Sequence, residues 1–177
     1  MNDIEPIEIL FKEHKTIRKM IMFLKKLEQD EKKIEQMTPI YFDHIIDFFH
    51  TYADETHHGK EEKILFKKLQ NRNLSVADKT LMDELIEEHK LARKLVSDLK
   101  NAKNEKKFNQ IQEILSKIIT LYEQHIEKEN TRFFPPAFSY FSKDEIKNIL
   151  REFIDVDKEM IHKKYLDVVV ELEDLIS

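Results

Sequence analysis

Two short segments of this chain are near copies of each other, and each is followed by the same pair of polar residues. Residues 13–20 read EHKTIRKM and residues 88–95 read EHKLARKL. A His-x-x-x-Glu pair follows each copy: His57 with Glu61, and His125 with Glu129. One histidine followed by His-x-x-x-Glu therefore occurs twice. The chain has to fold so that four histidines and two carboxylates are accommodated together.

Composition predicts one folded domain made of long helices. The 177 residues include one glycine and four prolines, with 41% hydrophobic and 37% charged residues. This length allows a sizeable core, and the composition is not that of a disordered chain. The net charge of −5 has interspersed signs, which argues against a nucleic-acid partner because such a partner favours a basic face.

Several classes of protein are excluded by what the sequence lacks. No apolar run approaches the roughly 20 residues of a membrane span, and the N-terminus has no basic segment followed by an apolar one. We therefore expect no membrane partner and a cytoplasmic location. The chain has no cysteine, so any metal site must use nitrogen and oxygen ligands.

The periodicity and the capping signals predict five helices. The first four should run over residues 4–29, 39–70, 75–100 and 104–134, and the fifth from the Ser142/Glu145 capping box onward. Asn2 or Asp3 should cap the first helix, Thr38 and Pro39 should open the second, and Ser75 with Asp78 should cap the third. Pro135–Pro136 should end the fourth. The last helix should continue to the C-terminus or bend near residues 155–157. The sequence thus predicts an all-α fold.

The apolar stripes predict where the histidines point. His14 and His89 each take a slot in a stripe otherwise filled by aliphatic residues at spacings of three and four, which places them inside the bundle. His57 with Glu61, and His125 with Glu129, likewise continue apolar stripes on the other two helices. Carboxylates buried without partners would protonate rather than remain charged. A cation is the compensation that fits this set of groups.

Spacing also favours a pair of metal ions. Residues four apart lie one above the other on a helix face, so each His-x-x-x-Glu aims an imidazole and a carboxylate at one point. The carboxylates can bridge two metals while the imidazoles terminate them, and histidine with carboxylate suits iron, manganese or zinc. Ferritin-like proteins instead use lone glutamates and Glu-x-x-His, so this nitrogen-rich order disfavours a ferritin-like interpretation.

The chain at this point resembles the hemerythrin-like family, also called the HHE cation-binding domain. The matching segments are EHKTIR, HHGKEEKILF, EHKLAR and HIEKENTRFFP, in the family's order over residues 10–136. The resemblance implies an antiparallel up-down-up-down four-helix bundle over residues 1–136, with a C-terminal helical extension at 137–177 packed on it. It implies two non-haem iron ions, bridged by carboxylates and an oxo or hydroxo group, that bind O2 or a related ligand. Carried over position by position, the ligands are His14, His57, Glu61, His89, His125 and Glu129.

The chain also departs from the oxygen-carrying hemerythrins. Those proteins place two histidines four apart on the third helix, whereas here the positions four either side of His89 are Leu85 and Arg93. They end with an aspartate five after the last histidine, whereas Glu129 follows His125 by four. We therefore expect one ion to have one imidazole fewer and to be more open and reactive.

Several side chains near the ligands admit two interpretations. His58/Glu62 has the same spacing as His57/Glu61, but alignment of the two copies favours His57/Glu61 and places His58 and Glu62 on the outer face. His50 should be a buried histidine near the channel, or a substitute ligand. Asp54 and Tyr122 either orient ligands or simply pack. Four charged residues that flank the ligands should be solvated or salt-bridged: Glu13, Arg18, Glu88 and Arg93. Two further histidines, His44 and His162, should not be ligands.

Three functions compete on this sequence. The first is a di-iron protein that binds O2, or a related small ligand, for sensing, scavenging or storage. The second is a redox enzyme in which the same centre acts on peroxide or nitric oxide, and the third is an iron storage or donation protein. Whether the chain is an enzyme stays open at this point, and the sequence does not identify a protein partner.

Overall fold

The computed structural model describes residues 5–37, 39–157 and 161–175, and within these ranges the chain is helical with no strand. The all-α prediction is confirmed. We number the helices α1 to α7. They are α1 (Pro6–Glu28), α2 (Glu31–Gln36), α3 (Pro39–Asp47, then Phe48–His58, Glu61–Phe66 and Lys67–Leu69), α4 (Val76–Asn104), α5 (Phe108–Lys128, then Glu129–Phe133 and Phe134–Ser139), α6 (Lys143–Val156) and α7 (Ile161–Leu175).

Four long helices close a ring of contacts, in which α1 packs on α3, α3 on α4, α4 on α5, and α5 on α1. This packing is that of a four-helix bundle, although the up-down-up-down order stays a prediction. None of the described helices is both long and apolar enough to cross a membrane.

Capping side chains account for the starts of α4 and α6. The Ser75 hydroxyl accepts a hydrogen bond from the Asp78 amide at 3.0 Å, and the predicted Ser142/Glu145 capping box is present. The last predicted helix breaks after Val156, as the bent alternative predicted. The predicted start at Ile4, its caps Asn2 and Asp3, and Thr38 lie outside the described residues.

Three boundaries differ from the prediction. The third long helix continues to Asn104 rather than ending at Lys100, and Lys106, at a φ of 54°, turns the chain before α5 begins at Phe108. Residues 31–36 form a short helix that was not predicted. The prolines at 135–136 do not end α5, because they lie in the first turn of its last segment, where a missing amide is tolerated.

Parts of α3 and α5 are wound as π-helix, with i→i+5 hydrogen bonds. These parts are Phe48–His58 and Glu61–Phe66 in α3, and Glu129–Phe133 in α5. A π segment takes more residues per turn than the 3.6 of an α-helix, and such segments occur frequently at functional sites. Both helices that carry a His-x-x-x-Glu pair are therefore widened at that pair.

A layer of polar side chains divides the core into two apolar clusters. On α1, Leu10 belongs to one cluster and Ile17 to the other, with His14 between them. On α4, Leu85 and Ala92 flank His89 in the same way. The candidate ligands thus lie in the middle of the bundle, with packed hydrophobic residues on both sides.

The described part of the C-terminal extension, residues 137–157 and 161–175, packs on the bundle through two helices. From α6, Ile149 and Phe153 are fully buried, and from α7, Tyr165, Val169 and Leu172 are fully buried. α7 contacts α1 and α3, and α6 contacts α1 and α3 as well. The division into domains at residue 136 stays a prediction.

Candidate metal centre

Five histidine rings meet in the polar layer, and each is held from behind through its Nδ1 atom. The partners are Asn130 for His14 (2.8 Å), Glu13 for His57 (2.8 Å), Asp54 for His58 (3.3 Å), Glu62 for His89 (2.7 Å) and Glu88 for His125 (2.8 Å). An ionised carboxylate, or the amide oxygen of Asn130, can only accept, so the rings donate through Nδ1–H. This arrangement fixes the tautomer that leaves Nε2 as the ligand atom and orients the ring.

The Nε2 atoms turn inward and approach each other closely. His14 Nε2 lies 2.9 Å from His57 Nε2, and His89 Nε2 lies 3.2 Å from His125 Nε2. Two lone pairs at this distance repel unless a proton or a metal ion lies between them. Two nitrogens at about 2.1 Å from one ion and at right angles would be about 3 Å apart. Both pairs have the separation that shared coordination requires.

Two fully buried carboxylates lie between these histidine pairs. Glu61 has Oε1 at 3.5 Å from His57 Nε2 and Oε2 at 3.3 Å from His89 Nε2. Glu129 has Oε2 at 3.1 Å from His14 Nε2 and Oε1 at 3.2 Å from His125 Nε2. Each carboxylate therefore turns one oxygen toward each histidine pair and could offer a ligand atom to either pair.

The potential ligand atoms form two groups that share Glu61. One group is His14, His57, Glu61 and Glu129, and the other is His58, Glu61, His89 and His125. Within each group the ligand atoms lie within 4.8 Å of one another, and all these residues are buried. All six predicted ligands are thus brought together, while ligation itself stays a prediction.

His58 corrects the sequence analysis, which placed it on the outer face. Its side chain is 1% exposed and stacks on His89, with ring centroids 3.8 Å apart. The π segment is the reason, because its wider turn points both His57 and His58 inward. His58 therefore brings a fifth imidazole to the site, at the group that also contains His89 and His125.

A signal for this winding exists in the sequence. Buried residues of α3 recur every four positions: Ile45, Phe49, Ala53, His57, Glu61, Leu65 and Leu69. In a regular α-helix each step of four drifts by about 40° around the axis. Seven residues spaced four apart stay on one face only if the helix has more residues per turn than an α-helix.

The same shift of phase corrects the expectation for His50. A 3.6-residue period puts it on the stripe of His57, but the structure leaves it exposed. It lines a groove of about 470 Å³ between α3 and α4, together with Asp54 and Tyr122. His50 is therefore a groove residue rather than a buried one.

Residues that sequence analysis treated as flanks hold the rings. Glu13 is fully buried and binds the His57 ring, so it is salt-bridged but not solvated. Asp54 binds His58 and also accepts from Arg93 Nε at 2.8 Å, which favours the orienting role. Tyr122 packs against His58 and Phe49, with centroids 6.1 and 5.1 Å away.

The electrostatics of the site reflect its excess of buried carboxylate charge. Burial lowers the pKa of His125, but the close, attractive carboxylate of Glu129 and the hydrogen bond to Glu88 outweigh burial and raise the pKa to about 10. Burial raises the pKa of Glu129, whereas His125 and His14 lower it well below its usual value. Without a metal ion, protons on the imidazoles therefore compensate the carboxylates.

One ring cannot take part in this compensation. Burial, followed by repulsion from His89 and His125, holds the pKa of His58 well below its usual value. The buried Nε2 of His58 has no hydrogen-bond partner. The same holds for four carboxylate oxygens, two of Glu61 and two of Glu129, none of which accepts a well-formed hydrogen bond. Buried polar atoms without partners cost free energy. A bound cation would satisfy all five atoms, so the residues present fit a metal centre.

Aromatic rings close the site from one side. Phe134 stacks on His14 with centroids 5.6 Å apart, and Phe66 stacks on His89 at 5.9 Å. Phe66, Phe133 and Phe134 are buried. These rings limit the access of water, which strengthens electrostatic interactions inside the site.

Comparison with known proteins agrees with this geometry. The model of the hemerythrin HHE cation binding domain matches residues 5–137, which is well over half of the chain. No curated protein and no solved structure matches the chain. The match spans all six predicted ligands and His58. The chain therefore belongs to the hemerythrin HHE cation-binding domain family.

Proposed function

We propose that this protein is a non-haem di-iron protein that binds O2, or a related small ligand, for sensing, scavenging or storage. The observation that carries the proposal is the convergence of five inward Nε2 atoms and two spanning carboxylates in a dry interior. Iron is proposed because the family resemblance implies it, and imidazole with carboxylate suits iron. Ferrous ions held there would supply electrons and vacant coordination positions for the ligand.

The two groups of ligands are unequal in a way that supports ligand binding. The group around His58, His89 and His125 offers three imidazoles, whereas the group around His14 and His57 offers two. Glu61 belongs to both groups, and Glu129 Oε1 also lies 3.2 Å from His125 Nε2, so both carboxylates face both groups. For six-coordinate ions, more positions remain open beside His14 and His57. A small ligand is therefore expected to bind on that side.

A groove on the surface approaches the site from the side of the three imidazoles. Tyr122 and Ala92 line this groove, which lies between α3 and α4, and also a gap too small for a water molecule beside His58, His89 and His125. The groove, of about 470 Å³, is in the range of ligand-binding pockets. Tyr122 and Ala92 separate this groove from the site, so a molecule of a few atoms would have to pass them to reach the open positions beside His14 and His57.

The open side also supports a second candidate function, a redox enzyme acting on peroxide or nitric oxide. Two imidazoles leave more room for a reacting molecule than three. The two functions differ in the fate of the bound molecule, since a binding protein releases its ligand unchanged and an enzyme consumes it.

Optical spectroscopy of the iron-loaded, anaerobically reduced protein separates these outcomes. O2 is added and then removed while the spectrum is recorded. A charge-transfer band that appears with O2 and vanishes on its removal supports reversible binding. A band that persists after removal supports the redox enzyme instead. Absence of any band at full iron loading contradicts both proposals.

A further inference from the structure

A buried lysine connects the metal centre to the C-terminal extension. Lys60, next to the ligand Glu61 in α3, is fully buried. Its Nζ donates to a carboxylate oxygen of Glu13 on α1 and to one of Asp157, just after α6. An ammonium group in the interior requires compensation by opposite charge. Asp157 therefore belongs to the interior of the protein as much as to its surface.

The other oxygen of Glu13 continues this connection to a predicted ligand. Glu13 Oε2 accepts from His57 Nδ1 at 2.8 Å, while Glu13 Oε1 faces Lys60. A continuous chain of contacts thus runs from Asp157 through Lys60 and Glu13 to the His57 ring. The orientation of that ring, and hence of its Nε2, depends on where Lys60 holds Glu13.

The far end of the chain is fixed within the extension and by α3. His162 of α7 places Nε2 at 3.0 Å from Asp157 Oδ2 and Nδ1 at 3.1 Å from the Tyr52 hydroxyl. Asp157 is 16% exposed and His162 27% exposed, so the network reaches solvent there. Tyr52 itself is buried. Docking of α6 and α7 on the bundle therefore brings Asp157 to Lys60.

His57 differs in this respect from the other rings in the site. Asp54, Glu62 and Glu88, which hold His58, His89 and His125, all lie on α3 or α4. Their own cationic partners, Arg93 and Lys128, also lie on bundle helices. The group that contains His57 is the one whose support passes into the extension.

The three acidic and imidazole groups here could be mistaken for another metal site. Ligand atoms of Glu13, Asp157 and His162 lie within 4.8 Å of one another. The Lys60 ammonium, however, already contacts both carboxylates. A positive charge is thus present between them, and the arrangement is that of a structural ionic network.

We propose that the docked C-terminal extension contributes to metal binding at the centre. Asp157 acts through Lys60 and Glu13 as a positioning residue for His57, so the ion beside His14 and His57 is held tightly only while the extension is docked. This inference rests on the proposed function. It gives a role to a segment that lies beyond the matched residues 5–137. Because binding linkage is reciprocal, that ion in turn stabilises the docked extension.

Asp157→Asn in the full-length protein tests the proposal. Glu152→Gln is the matched control, since Glu152 is also a carboxylate of the extension, paired with Lys68 at 2.7 Å away from the ligands. Each protein is loaded anaerobically with Fe²⁺, and loss of iron to excess chelator is followed over time. Loss of an outer partner typically weakens metal binding by about 10–100-fold. We expect one of two ions to be lost about that much faster in Asp157→Asn, with the other ion and Glu152→Gln unchanged.

The number of ions affected separates positioning from general destabilisation. If Asp157→Asn releases both ions faster to the same degree, it acts by general destabilisation and the inference is wrong. Asp157→Glu should restore slow release, and combining Asp157→Asn with Glu88→Gln should loosen both ions. If Asp157→Asn fails to fold, hydrogen exchange of the unmodified protein decides instead, with greater protection of residues 161–175 expected on Fe²⁺ loading. Release from Asp157→Asn that matches Glu152→Gln overturns this inference alone, as does unchanged exchange of 161–175. Failure of the unmodified protein to bind two ions overturns the proposed function.

Discussion

A single ring, that of His58, determines how the donor atoms are divided between the two ligand groups. The His58 ring stacks on His89, and its buried Nε2 has no hydrogen-bond partner. The carboxylate oxygens of Glu61, in the same group, also have no hydrogen-bond partner. His57 and His58 are adjacent in sequence, yet they fall in different groups. One dipeptide therefore contributes to both sides of the centre.

Replacing His58 with alanine tests its assignment. The variant should bind one ion at least about 10-fold more weakly, because the group around His89 and His125 would lose one of its three imidazoles. Metal content after anaerobic Fe²⁺ loading and desalting is the measurement. His50→Ala is the control, since His50 is exposed on the same helix and should leave both ions bound. Full retention of both ions by His58→Ala would return His58 to the role of a packing residue.

The raised pKa of His125 predicts how the metal-free protein responds to pH. Because the folded pKa of about 10 lies above the ordinary value of 6.5, protonation of this ring stabilises the fold. That contribution is complete below about pH 6.5 and is lost as pH rises through about 10. Urea unfolding of metal-free protein should give lower stability at pH 10 than at pH 7.

Metal loading provides the counterpart of this experiment. A bound ion takes the place of the imidazole protons, so loading at pH 8 should release protons that an indicator dye detects. Equal stability of the metal-free protein at pH 7 and pH 10, together with no proton release, would contradict the assignment of His125.

At the scale of the helix, the winding of α3 explains both what sequence analysis predicted and what it missed. On α1 and α4 the 3.6-residue period holds, so His14 and His89 were placed correctly in the interior. On α3 the same period predicts that His50 is buried and His58 exposed, and both predictions are wrong. A π segment has more residues per turn than an α-helix, so an α-helical template places residues of that segment on the wrong face.

Gly59 gives a test of how tightly this segment is packed. It is buried in helical conformation, and an added Cβ would lie 3.7 Å from the Asp54 carbonyl oxygen and 3.9 Å from Lys63 Nζ, which are ordinary contacts. Gly59→Ala should therefore stabilise the protein by about 0.5–1 kcal/mol through helix propensity. Chemical denaturation measures the change, and Ala53→Gly in the same helix should act in the opposite direction. Destabilisation by Gly59→Ala would show that the winding needs glycine.

At the scale of the whole molecule, a polar layer between two apolar clusters makes folding and metal binding interdependent. The repeated motifs let sequence analysis predict the six principal groups, because each motif carries its own spacing. The connection from Asp157 to His57 could not be predicted, since it joins residues 100 positions apart in sequence through Lys60, whose burial depends on the docked extension. Long-range electrostatic contacts of this kind have no local period.

Removing metal should consequently lower the stability of the entire chain. An ion present at 100 times its dissociation constant stabilises a protein by about 2.7 kcal/mol. For a chain of this size that corresponds to a Tm increase of about 5–10 °C per ion. Differential scanning calorimetry with and without chelator measures it, and Mg²⁺, which prefers oxygen ligands, should give a much smaller increase. A Tm that is indifferent to chelation would contradict a structural role for the ions.

Anomalous X-ray diffraction from crystals of the Fe²⁺-loaded protein tests the central claim most directly. The account predicts two peaks about 3.5–4 Å apart, both between Glu61 and Glu129. One should adjoin the Nε2 atoms of His14 and His57, and the other those of His58, His89 and His125. A single peak, or peaks away from these side chains, would contradict the account.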